Sequence, residues 1–341
     1  MAEKKAPGAQ RLLIDLGATN ARFALQRPGG EPEGAMRLPV GAQPDLLSAI
    51  RWYLEETGAR PAAGAFAVAS AITGDRVSLT NHPWSFSIAE TRAVLGLAHL
   101  AVVNDFTAIA LALPRLGPDD VARIGGGGAG RAEAPIAVLG PGTGLGASGL
   151  IPIAGGWFAI AGEGGHVTLP ATDEREERVL KILRRRLGHV SAERAVSGQG
   201  LVNLYGALSE IEGRAAGDLT PAEITEQGVA GIDATARETL DLFCALLGTV
   251  AGNHTLTLGA LGGCFIAGGI VPKLGRFFFE SRFRERFEAK GRFRAYLEPV
   301  PTWLVVRRTP AFLGLAQLLD QELGGSGPAR SILLAHPPAS V

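Results

Sequence analysis

Apolar positions along the chain fall into short solid blocks separated by stretches of helical spacing. Residues 11–16 read as a strand that ends in an acidic, glycine-bearing turn. Residues 22–26 follow almost at once as a second strand, so the two form a hairpin. Residues 44–57 are amphipathic: Leu46, Leu47, Ile50, Tyr53 and Leu54 share one face, and Gly58 stands where a C-cap belongs. Residues 65–70 form a small-residue strand, and Ser87 with Glu90 forms a capping box opening a helix to about Leu95. A short buried strand at 100–103 delivers Asn104 and Asp105 at its carboxyl end, ahead of a helix beginning near Thr107.

Residues 117–133, with four glycines in a row at 125–128, read as a loose loop and a domain border. Residues 136–139 are another buried strand, followed by a dense glycine loop and a strand at 147–153. Helices are expected over 174–187, 197–212 and about 234–258, and a strand over 264–267 ends in Gly268 and Gly269. Thr309 is expected to cap a final helix with Pro310 at its first position, running to about Leu323. Strands alternating with helices call for an α/β architecture. Residues 11–26 and 136–153 share one plan, strand, glycine turn bearing Thr, strand, which suggests two related lobes.

Composition sharpens this picture at one point. Of 341 residues 47 are glycine, about twice the usual ~7 %, and ten of those lie between Gly140 and Gly165. No Gly-X-Y period accompanies them, which excludes collagen. The charges balance at 33 basic and 33 acidic residues, which argues against a nucleic-acid or membrane-surface partner, since both want a basic face. Cys244 and Cys264 cannot build a disulfide framework or a zinc site, and residues 1–10 lack the apolar core of a secretory signal. The longest apolar tract, around 240–261, is broken by Asn253 and His254. The expectation is a soluble, cytoplasmic protein.

Several motifs carry chemistry. In the turn Asp15, Leu16, Gly17, Ala18, Thr19, Asn20 a carboxylate and a hydroxyl can hold hydrated Mg²⁺ while backbone N–H groups face phosphates; an ordinary hairpin loop has the same composition. The turn from Gly140 to Gly146 lets backbone approach an anion closely, with Thr143 adding a hydroxyl. No Lys-Ser/Thr pair follows, so it is not a Walker A loop. Gly144, Gly146 and Gly149 fit GxGxxG, but strand rather than helix patterning follows, against a dinucleotide fold. Asp105 stands where a carboxylate can take a proton from a hydroxyl, although Asn104 or Asp105 can equally be a helix cap. Glu163 and His166 flank a bend and offer an acceptor and a donor to a polyhydroxyl ligand. His166 and His189 are too far apart for a metal site. Glu193 can be a mere first-turn acid, and Arg184, Arg185 and Arg186 a solvated helix face.

Taken in order, residues 15–22 (DLGATNAR), 72–75 (ITGD), Thr80, Asn81 and His82 with Trp84, 104–108 (NDFTA), 142–146 (GTGLG), 162–167 (GEGGHV), 189–194 (HVSAER), 197–201 (SGQGL) and 265–271 (FIAGGIV) resemble the bacterial glucokinases outside the ROK group. The resemblance runs over roughly residues 11–325. It implies a two-lobed actin-like ATPase (ribonuclease H-like) fold with the active site in the interlobe cleft. Residues 11–115 plus 306–325 would form a small α/β lobe and 116–305 a large α+β lobe, with tails at 1–10 and 326–341. It further implies ATP-dependent phosphorylation of D-glucose at its 6-hydroxyl with Mg²⁺, by a cytoplasmic homodimer.

By that resemblance Asp105 is the general base, and Asn104, Glu163, His166 and Glu193 hold the sugar. Ile14, Asp15, Leu16, Gly17, Ala18 and Thr19, with Gly142, Thr143 and Gly144, bind ATP phosphates. Asp15 reaches the metal, directly or through water, and Gly268 and Gly269 pass close to the adenosine. Two departures stand out: Gly17-Ala18 replaces the common Gly-Gly, and Ile14 stands where a small residue is common. If residue 18 needs a glycine-only conformation, its methyl strains the turn; tolerance is expected. The competing readings are a kinase for another hexose, one using polyphosphate or ADP as donor, and a non-catalytic sugar-sensing relative. The last is opposed by Asp105 and both phosphate turns, and the chain lacks the cysteine-rich motif of ROK regulators.

Overall fold

The computed structural model describes residues 10–17, 19–79 and 84–324. Ala18, the landmarks Thr80, Asn81 and His82, and both tails lie outside the described residues. Two units are distinguished, residues 10–117, 152–161 and 307–324 in one and residues 118–151 and 162–306 in the other.

In the first unit, β1 (Arg11–Leu16), β2 (Asn20–Gln26), β3 (Glu33–Pro39), β4 (Ala63–Val68) and β7 (His99–Asn104) form a sheet in the order β3-β2-β1-β4-β7. β1 is antiparallel to β2 and parallel to β4, and β4 is parallel to β7. Both faces are covered, which is why the strands are solid apolar blocks rather than alternating ones. Leu12, Ile14 and Phe23 pack with Ile50 and Tyr53 of α1 (Leu46–Thr57). On the opposite face Leu13, Ala24 and Ala65 pack with Ala108 of α3 (Asp105–Ala112) and with Phe312 and Leu315 of α12 (Pro310–Glu322). α3 and α12 touch backbone to backbone: a Cβ on Gly314 would lie 1.7 Å from the Ala108 carbonyl oxygen. Asp320 of α12, 2 % exposed, accepts hydrogen bonds from Arg11 and Arg115. In β11 (Gly156–Ile160) the Trp157 N–H donates to Gln321 and the Trp157 carbonyl accepts from it, each at 3.0 Å.

The ribbon of β5 (Arg76–Ser78) and β6 (Ser85–Ser87) leads into α2 (Ile88–Val94). The expected capping box is half made there. Ser87 Oγ accepts the Glu90 N–H, but Asp75 takes the partner's place, accepting from the Ser87 hydroxyl and from the Ala89 N–H. Thr309 holds the N-cap position of α12 without a side-chain capping bond among the described residues; Pro310, which has no N–H to satisfy, starts the helix instead.

The second unit repeats the plan. β8 (Val121–Arg123), β9 (Ile136–Pro141), β10 (Leu145–Ile153), β12 (Gly263–Ile266) and β13 (Thr302–Val305) run in the order β10-β9-β12-β13-β8. Again a hairpin, β9–β10, is followed by strands parallel to its first member. Around it pack α4 (Glu174–Leu187), α5 (Gly198–Ile211), α6 (Pro221–Ala230), α7 (Ala234–Leu258), α8 (Val271–Leu274), α9 (Arg276–Phe279), α10 (Phe283–Glu288) and α11 (Arg294–Leu297). α10 crosses α7 at Gly248, where a Cβ would lie 2.2 Å from the Phe283 carbonyl oxygen. Among the described residues no helix is long and apolar enough to cross a membrane.

The stretch 117–133 is irregular only from residue 124 on. It contains β8, an edge strand antiparallel to β13. Two of its glycines are held against neighbouring backbone: Arg123 donates to the Gly127 and Gly128 carbonyls at 2.6 and 2.7 Å, and a Cβ on Gly127 would lie 2.8 Å from the Val300 carbonyl oxygen. β3, β8, β11, β13 and α6 escape the hydrophobic pattern, the strands because they are short or polar. β3 is largely exposed at the sheet edge.

Candidate active site

In the first unit the parallel register places Leu16 opposite Val68 and Val68 opposite Asn104. The β1–β2 turn and the Asn104-Asp105 pair therefore share the carboxyl edge of one sheet, where open α/β sheets bind ligands. Ile14 and Leu16 are fully buried and paired on both sides within the sheet, so they shape the turn from beneath. Asp15 faces Arg22 across the hairpin, Arg22 Nη1 donating to Oδ2 at 2.8 Å. Burial pushes the Asp15 pKa up from the usual carboxylate value, and Arg22 opposes that shift. Gly17 N–H donates to the Asn20 carbonyl at 3.0 Å, and Asn20 Nδ2 donates to the Thr19 hydroxyl at 2.8 Å.

Asn104 realises both of its readings. Its Oδ1 accepts the Phe106 N–H at 2.8 Å as the N-cap of α3, and its Nδ2 donates to the Ser70 carbonyl at 3.3 Å. The helix thus starts at Asp105 rather than near Thr107. Asp105 Oδ1 accepts the same Phe106 N–H at 2.9 Å, which orients the carboxylate at the helix start.

The second unit gathers the remaining residues at the equivalent edge. Gly142 N–H donates to the Gly144 carbonyl, closing the β9–β10 turn, and the Gly198 N–H at the start of α5 donates to the Gly142 carbonyl, both at 2.8 Å. Thr143 is exposed at the tip. Gly268 follows β12 with φ +88°, and a Cβ there would lie 2.5 Å from the Pro141 carbonyl oxygen. Gly269 beside it faces open space. β10 runs as strand through Gly146 and Gly149, so the GxGxxG match has no helix to open.

Glu163 and His166 bracket a single 3-10 turn, 60 % and 59 % exposed, with Oε2 and Nε2 4.0 Å apart. The bend lies on β10: a Cβ on Gly165 would lie 2.0 Å from the Leu145 carbonyl oxygen. Glu193 is not the first-turn acid of a long helix. It sits in the short turn 192–194 ahead of α5, and its Oε2 accepts the Leu145 N–H at 2.9 Å. Arg185 and Arg186 at the end of α4 pair with Glu210 of α5, at 2.5 and 2.6 Å.

Three features escape sequence reasoning. Arg22 becomes a partner of Asp15 only through the hairpin register. His254, noticed only as a polar break in an apolar tract, hydrogen-bonds the Ser148 carbonyl of β10 through Nε2 at 2.8 Å; burial pushes its pKa down, which favours the neutral ring. A cavity of about 430 Å³ is lined by Ala222, Thr225, Glu226, Val229 and Ala230 of α6 and by Lys273 of α8. The signal for α6 was present as a capping box, Thr220 accepting from Glu223 and Glu223 accepting from Thr220, with Pro221 between.

A family model described as Glucokinase matches residues 12–322. The glucokinase of Paramagnetospirillum magneticum is 54 % identical over 311 residues, covering 90 % of this chain and 97 % of that relative. The glucokinase of Chromobacterium violaceum is 50 % identical over 329 residues, covering 96 % and 94 %. A solved glucokinase from an Antarctic psychrotroph is similar with a TM-score of 0.84 and 36 % identity, covering 92 % of this chain and 99 % of that one. The chain has the actin-like ATPase fold of these sugar kinases, and with about half its residues shared with full-length relatives it belongs to the glucokinase family.

Proposed function

We propose that the chain transfers the γ-phosphoryl group of ATP to the 6-hydroxyl of D-glucose, releasing glucose 6-phosphate and ADP. Asp105 receives the hydroxyl proton as the oxygen bonds to the γ-phosphorus and the bond to the leaving ADP oxygen breaks. Asn104, Glu163, His166 and Glu193 hold the other hydroxyls, supplying acceptors and donors in the mixture a hexose requires. The turns at residues 14–19 and 142–144 bind the phosphates. Gly268 and Gly269 admit the adenosine, and the cavity between α6 and α8 offers its base an apolar wall. Catalysis then rests mainly on positioning and charge stabilisation.

The observation that carries this reading is the shared sheet edge of Asp105 and the Asp15 turn. The Asp105 carboxylate and the Asp15 turn at one sheet edge support a proton acceptor acting beside a phosphate-binding loop. Mg²⁺ suits the donors of that loop, a hard cation for the Asp15 carboxylate and the Thr19 hydroxyl. Bound with ATP, it supplies charge neutralisation on the phosphates. The reading extends to a cytoplasmic homodimer. Cys244 and Cys264 are free and buried, without a disulfide between them, which is the usage expected in a reducing compartment.

The test is sugar-phosphate formation over a panel of hexoses, with ATP, ADP and polyphosphate as donors and ADP release followed in the ATP arm. Glucose with ATP and Mg²⁺ is expected to give the highest kcat/KM. Absence of glucose-dependent ADP formation rejects the reading, and a higher rate with another hexose or donor replaces it.

A further inference from the structure

Glu193 is tied to two places at once. Its Oε2 accepts the N–H of Leu145, the residue that ends the phosphate-type turn and opens β10. Gly144 lies so close that a Cβ there would be 2.4 Å from the same oxygen. On its other side, the segment carrying Glu193 is bound to the chain that leaves the Glu163–His166 bend. Ala192 N–H donates to the Val167 carbonyl at 2.9 Å, Leu169 N–H donates to the Val190 carbonyl at 3.0 Å, and Thr168 bridges Ser191. The second oxygen, Oε1, takes no hydrogen bond from the described residues and is left for a hydroxyl donor.

We propose that Glu193 couples the sugar site to the phosphate turn, one carboxylate oxygen shaping the turn and the other binding a sugar hydroxyl, so that each ligand tightens the other. This rests on the reading above, in which Glu193 faces glucose and residues 142–144 face ATP. The physical cause is shared ordering. A glutamate side chain loses rotamer freedom when fixed; a sugar hydroxyl on Oε1 meets that cost and leaves the Leu145 amide held at less expense. The coupling is reciprocal, as any equilibrium linkage must be.

Calorimetric titration tests it, with glucose and with AMP-PNP plus Mg²⁺ as probes, each alone and in the presence of the other. In the unaltered chain each ligand is expected to tighten the other by about fivefold or more. Glu193→Ala is expected to weaken AMP-PNP about tenfold, the loss of one charge-assisted hydrogen bond, and to abolish the coupling. Glu193→Gln keeps an oxygen for the Leu145 N–H, so AMP-PNP binding stays within about twofold while glucose binding weakens. Gly144→Ala pushes only the flexible end of Glu193 and is expected to weaken glucose, although Gly144 lies in the phosphate turn. An unaltered AMP-PNP Kd in Glu193→Ala, or an unaltered glucose Kd in Gly144→Ala, overturns the proposal. So does a native chain that binds both ligands independently. A native chain that binds neither overturns the functional reading and this inference with it.

Discussion

The β1–β2 and β9–β10 hairpins follow one plan but support their turns differently. In the first, the carboxylate is part of the strand itself: Asp15 sits on β1 and its charge is met by Arg22 directly across the hairpin. In the second, no strand residue supplies the acid, and Glu193 arrives from a turn 48 positions away to accept the Leu145 N–H. The glycines differ in the same sense. A Cβ on Gly17 would meet only the Asn20 carbonyl oxygen at an ordinary 3.5 Å, whereas Gly144, Gly165 and Gly268 are each pressed against another element. The first turn is a local structure, and the second is the meeting point of four segments. A repeated pattern therefore need not mean repeated tolerance.

The largest expected effect belongs to the first edge alone. Asp105→Asn is expected to lower kcat by about 10²–10⁴-fold while glucose still binds, as read by ADP release and calorimetry. Activity near that of the native chain would leave Asp105 as a helix-start residue only. Next, the first turn and the loop packed against the second should separate under the same small change. Gly268→Ala, with φ +88° and a backbone oxygen in its path, is expected to cost about 1–3 kcal/mol of stability and to raise the ATP KM. Gly17→Ala should leave the melting temperature nearly unchanged. Equal losses at both positions would dissolve the distinction drawn above.

The smallest effect is a pH signature of Asp15. Its folded pKa lies above the unfolded value because burial penalises the charge. Its contribution to stability is therefore complete below the ordinary value of 3.8 and is lost as pH rises through the raised folded value. Asp15→Asn should accordingly melt about 2 °C higher than the native chain at pH 7, with the difference vanishing below pH ~4, and it should lose phosphoryl transfer. A variant that melts lower at pH 7 would show that the Arg22 pair outweighs the desolvation.

Much of this was legible before any coordinates. The strands at 11–16 and 136–139 declared themselves because burial on both faces leaves no polar alternation to read. Asp105 was placed at a strand end by the apolar run before it. What escaped had physical reasons too. β3 is exposed and carries no apolar block. The four glycines at 125–128 looked loose because glycine has no side chain to betray packing, yet here the missing Cβ is what lets backbone approach Val300 and Pro299. His254 reads in the sequence only as a polar break in an apolar tract, and the Ser148 carbonyl that partners it lies 106 positions away.

The amino-acid sequence by itself determined the α/β class, the two hairpins of one plan and the residue types offered at the strand ends, because strand burial and turn chemistry are local properties. Only the tertiary structure decided which of those residues meet. That Asp15 answers to Arg22, that Glu193 holds the Leu145 amide and that Gly144 lies against that same carboxylate are consequences of register and close packing. Contacts between segments far apart in the chain leave no period or spacing to read.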